Sequence, residues 1–63
     1  MLRDHTVSEE DLKLGETLRD LNLPHGIRVM MVRREDKFLV PHGSMKLLPG
    51  DRLIIIMGES DDD

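Results

Sequence analysis

The chain contains no cysteine, and Phe38 is its only aromatic residue. Without thiols there is no disulfide to stabilise a small core and no zinc site built on thiolates. A nucleic-acid-binding surface needs a basic face, commonly with stacking aromatics. With a formal net charge of −4 and one phenylalanine, the chain is not read as a nucleic-acid binder. No apolar run approaches the ~20 residues of a membrane helix. The longest, Leu53 to Met57, is strand-sized, so no insertion into a membrane is expected. No secretory leader is visible. The Gly-x-Gly-x-x-Gly fingerprint is absent, which excludes the standard dinucleotide-binding turn.

What remains is 63 residues, enough for one domain. Below about 70–80 residues a single core seldom supplies more than roughly 3–5 kcal/mol. Either the monomer is marginal or it buries further surface against a partner. A folded unit is expected over 1–58, followed by an acidic, solvated tail over 59–63.

The stretch from Gly15 to Gly26 organises the rest. Leu14, Leu18 and Leu21 follow helical spacing, which predicts a short helix over Thr17–Asn22 ended by Pro24 and Gly26. Before it, Leu2 to Val7 alternates as a strand, with Arg3, His5 and Val7 on one side. Ser8 and Asp11 have the spacing of a capping box, with Asp in place of Glu.

After it, Ile27 to Arg33 reads as a strand with Ile27, Val29 and Met31 on one face and Arg28, Met30 and Val32 on the other. Both faces are largely apolar, so an inner strand covered on both sides is expected. Arg34 to Lys37 make a hairpin turn into a strand at Phe38 to Val40. Met45 to Leu48 offers a short extended piece. Pro49-Gly50 fits the centre of a type II turn, and Arg52 to Gly58 is the last strand. The fold class is therefore α+β: about four mainly antiparallel strands with one main helix on one face. Leu14, Leu18, Leu21, Ile27, Val29, Leu53 and Ile55 are the expected core.

The segments Gly15-Glu16-Thr17-Leu18, Leu21-Asn22-Leu23-Pro24, Gly26-Ile27 and Arg33-Arg34 occur in one order with Phe38-Leu39-Val40-Pro41 and Leu48-Pro49-Gly50-Asp51-Arg52-Leu53. This series resembles the TrkA C-terminal domain, also called the RCK C-terminal domain, from about Leu2 to Gly58. The resemblance implies a regulatory module on the cytoplasmic side of the cell membrane, part of or bound to a potassium channel, a potassium-uptake system or a cation/proton antiporter. It also implies a homodimer. Some relatives bind ligands such as cyclic di-AMP at the dimer seam.

The residues themselves suggest where such a seam and site would lie. One helix can cover only one sheet face, so Met30, Val32, Ile54 and Ile56 are expected to meet a second copy. Arg28, mid-strand among apolar neighbours, needs a partner and is the first candidate for an anionic ligand. His25 and His42, on flanking loops, and Asn22, with its amide, complete that candidate site. No metal site is expected, because the three histidines fall on a strand, a turn and a loop. No cofactor is required, and a nucleotide such as cyclic di-AMP enters only as a ligand. Ser8, Ser44 and Ser60 lack a convincing base and orienter, so no enzyme is expected. The rival to a ligand sensor is a dimerisation module that binds no small molecule.

Overall fold

The computed structural model describes residues 2–21 and 23–58. Four strands form one antiparallel sheet: β1 (Leu2–Thr6), β2 (Ile27–Arg34), β3 (Lys37–Leu39) and β4 (Arg52–Met57). Their spatial order is β1-β4-β2-β3. The four-stranded antiparallel sheet thus forms as expected, with β2 and β4 inside. No helix among the described residues is long and apolar enough to cross a membrane.

The main helix does not form. Between Thr6 and Ile27 the chain makes two 3₁₀ turns, Glu10–Leu12 and Leu18–Asp20. The backbone explains why. The Leu18 N–H donates to the Met45 carbonyl at 2.9 Å, and the Arg19 N–H to the Gly43 carbonyl at 2.9 Å. The Glu16 carbonyl accepts from Leu47 at 2.7 Å, and Thr17 bridges Lys46. The start of the expected helix therefore pairs with the 43–47 segment. Too little chain remains before Pro24 to nucleate an α-helix. Asp20 closes the surviving turn by accepting from both the Thr17 N–H and the Thr17 hydroxyl. Leu14, expected inside, is 84% exposed, because without the helix it shares no face with Leu18 and Leu21.

The core is Val7, Val32, Leu47, Leu53 and Ile55, with Leu18, Leu21, Ile27 and Val29 packed around it. Leu53 and Ile55 are buried as expected, and Ile27, Val29, Leu18 and Leu21 are half-buried. Val32 is a correction: it is fully buried in the protomer, not on the second face. The cause is a bulge. Val29 pairs with Ile55 and Met31 with Ile54, which leaves Met30 as the extra residue. A bulge shifts side-chain phase by one residue. Beyond it, Val32 joins Ile27 and Val29 on the core face, and Met31 joins Arg28 on the other.

The loop residues Val7, Leu12, Leu18, Leu21, Met45 and Leu47 pack on that core face. The opposite face carries Leu2 and Asp4 of β1, Arg52, Ile54 and Ile56 of β4, Arg28, Met31 and Arg33 of β2, and Phe38 of β3, as the strand registers require. Within the protomer one face of β2 is covered; the other is the face expected to meet a second copy. Two turns hold the expected shape. Ser8 and Asp11 form a reciprocal cap, with Ser8 N–H donating to Asp11 Oδ2 at 2.9 Å and Asp11 N–H donating to Ser8 Oγ at 3.2 Å. At Pro49-Gly50 the Asp51 N–H donates to the Leu48 carbonyl at 3.0 Å, and Gly50 takes a φ of 95°. Only glycine enters that region cheaply.

Candidate functional site

The bare face is built by β4 and β2 side by side. Ile54 is half-buried and Ile56 is 40% exposed, each flanked by a β2 partner, Met31 and Arg28 respectively. Met30, pushed out by the bulge, is 52% exposed. Three of the four residues expected at a dimer seam are therefore accessible. The fourth, Val32, is in the core, and Met31 occupies the place assigned to it.

Arg28 stands on this face opposite Ile56, and its side chain is exposed. Among the described residues no hydrogen bond or ion pair engages its guanidinium. His25 lies in the turn that leads into β2, close in sequence to Arg28, and is exposed. His42 belongs to the loop after β3, which docks on the second 3₁₀ turn, and its Nδ1 is 3.0 Å from the Ser44 hydroxyl. Arg28, His25 and His42 share no hydrogen bond. Asn22 lies outside the described residues, as does the acidic tail over 59–63.

Farther along the same face, Arg33 of β2 and Arg52 of β4 are direct cross-strand partners. Together with Glu35 and Gly50 they line a shallow concavity of about 310 Å³.

The covered face holds a larger open cleft of about 430 Å³, lined by Leu21, Leu23, Ile27, Leu53 and Ile55, with His5 among its polar groups. Its volume is within the range of small-ligand pockets. His5 Nε2 lies 2.8 Å from Asp11 Oδ2. The Asp11 carboxyl is held below the usual carboxylate range, first by the Ser8 N–H and then by His5. Ser8 and Asp11 are legible in sequence as a cap, but the participation of His5 requires β1 to lie beside the first 3₁₀ turn.

Sequence reasoning also missed Asp51, which is only 2% exposed. It accepts from Arg34 and from the Leu48 N–H, the latter at 2.9 Å. The Arg34 guanidinium holds the Asp51 carboxyl well below its ordinary range, against the opposing effect of burial. The signal was present in the paired Arg33-Arg34 and the Pro-Gly-Asp-Arg turn, but nothing in the sequence said that the two meet.

The family model for the TrkA-C domain matches residues 2–62. The K(+)/H(+) antiporter NhaP2 of Shewanella baltica (strain OS223) is 38% identical over 52 residues, 82% of this chain. The chain spans about 9% of that antiporter's length. The matched region takes in the sheet, the Gly15–Gly26 stretch and the Pro49-Gly50-Asp51 turn whose geometry is given above, and the chain belongs to the TrkA-C domain family.

Proposed function

We propose that this domain is the cytoplasmic regulatory module of a cation transporter, of the cation/proton antiporter or potassium channel and uptake type, and that it dimerises and senses a small ligand. The family match over residues 2–62 carries this reading, and the antiporter relative supports the host class. Its role is non-catalytic: it passes a binding event to a membrane partner, on the same or a separate chain.

The bare sheet face supports dimerisation. Met31, Ile54 and Ile56 form an apolar strip on that face, Ile56 exposed and the other two half-buried, and exposed Met30 borders it. A two-fold contact would bury the same strip from both copies. Sedimentation at micromolar concentration should give twice the chain mass, and Ile56→Glu should return it to one. A wild-type monomer across that range overturns the dimer.

Ligand sensing is tested separately. A ligand bound only by the folded state raises the melting temperature by mass action. A thermal-shift panel of nucleotides, including cyclic di-AMP, should contain a compound that raises it. Arg28→Ala should remove that response if Arg28 holds an anionic group at the seam, with His25, His42 and Asn22 at its rim. A panel without response favours the second reading, a dimerisation module with no small ligand.

A further inference from the structure

We infer that Arg33 and Arg52 form a phosphate-binding clasp on the bare sheet face, separate from the candidate site at Arg28. The two residues are directly opposite one another on adjacent inner strands. Like charges in that position repel and destabilise a sheet. Such a pair is expected to be relieved by neighbouring carboxylates or by an external anion.

Neighbouring carboxylates do little. Arg33 makes no ion pair among the described residues. Arg52 has one, to Asp4, at a long 3.8 Å, with both side chains about half exposed. An exposed pair of that kind is worth little. Glu35 lines the same concavity but forms no ion pair with Arg33 or Arg52.

Arg33 is also held in place without being neutralised. Its Nε–H donates to the Glu35 carbonyl at 3.0 Å, and its guanidinium carbon lies 5.9 Å from the centre of the Phe38 ring. With Nε engaged, both terminal nitrogens remain as a fork. Arginine forks match phosphate oxygens two at a time, and a fork that is already oriented loses less freedom on binding. The concavity of about 310 Å³ lies beside Gly50, where even an added Cβ would meet no neighbour, and it has room for a phosphate group together with part of what carries it. The ligand class is thus a phosphate monoester or diester, either free or as the headgroup of an anionic lipid.

The test uses the whole chain labelled with ¹⁵N. Titration with inorganic phosphate at low salt should give saturable amide shifts confined to residues 33–36 and 50–53. Arg33→Gln and Arg52→Gln replace exposed side chains, so the dispersed spectrum should survive, and each should weaken binding by about tenfold. Glu35→Gln should strengthen it. Co-sedimentation with phosphatidylglycerol vesicles, against phosphatidylcholine vesicles, separates the sources. Retention on phosphatidylglycerol that inorganic phosphate displaces assigns the clasp to a headgroup, and saturable phosphate shifts without retention assign it to a free phosphate. Shifts that rise linearly without saturating, or that persist unchanged in both arginine variants, overturn the proposal.

Discussion

The Arg34 guanidinium grips the Asp51 carboxylate with two parallel hydrogen bonds, Nε–H to Oδ1 at 2.9 Å and Nη2–H to Oδ2 at 2.8 Å. Nη2 also donates to the Lys46 carbonyl at 3.0 Å. One ion pair thereby ties the end of β2 to the turn before β4 and to the 43–47 segment. Removing one partner of a buried pair leaves an uncompensated charge, which costs about 3–5 kcal/mol where both are fully buried. Arg34 remains partly exposed, so Asp51→Asn should cost less, about 2–3 kcal/mol, in chemical denaturation. Arg34→Lys keeps the charge but loses the fork, and should recover only part of the wild-type stability.

Acid should weaken the fold through the same group. The folded Asp51 carboxyl titrates below its unfolded value, chiefly because of the hydrogen bonds from Arg34. Its contribution is therefore fully present above the unfolded value of about 3.9 and is lost as pH falls through the lower folded value. Asp11 acts in the same direction. Stability followed by circular dichroism should fall below about pH 4. Asp51→Asn should flatten that acid limb. An unchanged limb in the variant would count against this origin.

Core truncations should sort by the observed packing and not by the leucine spacing. Leu47 is buried against Val7, Val32 and Leu53, and Leu47→Ala should cost about 2–5 kcal/mol. Leu14→Ala should stay within about 0.5 kcal/mol, as exposed substitutions do. Leu18, half-buried, should fall between them. Equal losses at Leu14 and Leu47 in urea midpoints would contradict the placement of Leu14.

Two turns offer a graded backbone test. A side chain at Gly50 would meet no neighbour, so Gly50→Ala should lose only the left-handed term, about 1–2 kcal/mol. Gly26 has a φ of 86°, and its added Cβ would run into the Gly58 carbonyl oxygen. Gly26→Ala should therefore be the more damaging of the two in thermal melts.

Glu35 supplies the converse. It holds a φ of 58° in the hairpin between β2 and β3, although it is not glycine. The Arg33 Nε–H fixes its carbonyl there. Glu35→Gly should relieve the backbone and raise the melting temperature, with a net gain of up to about 1 kcal/mol after the added unfolded-state freedom.

The sequence by itself determined the strands, the Ser8–Asp11 cap, the Pro49-Gly50 turn and the family resemblance. Each depends on residues close together in the chain: alternation along a strand, a side chain three residues from its partner, a glycine where φ must be positive. What only the tertiary structure decided depends on distant segments meeting. Leu18 and Arg19 gave their N–H groups to the 43–47 segment, so helical spacing at Leu14, Leu18 and Leu21 had no helix to act in. The bulge at Met30 reversed side-chain phase along β2 and moved Val32 into the core, because the pairing with β4, not the alternation of β2 alone, sets which residue is extra. Arg34 met Asp51, and Arg33 met Arg52, through that same pairing. Periodicity gives each strand two faces. Which face the loops cover is fixed only when the strands are placed side by side.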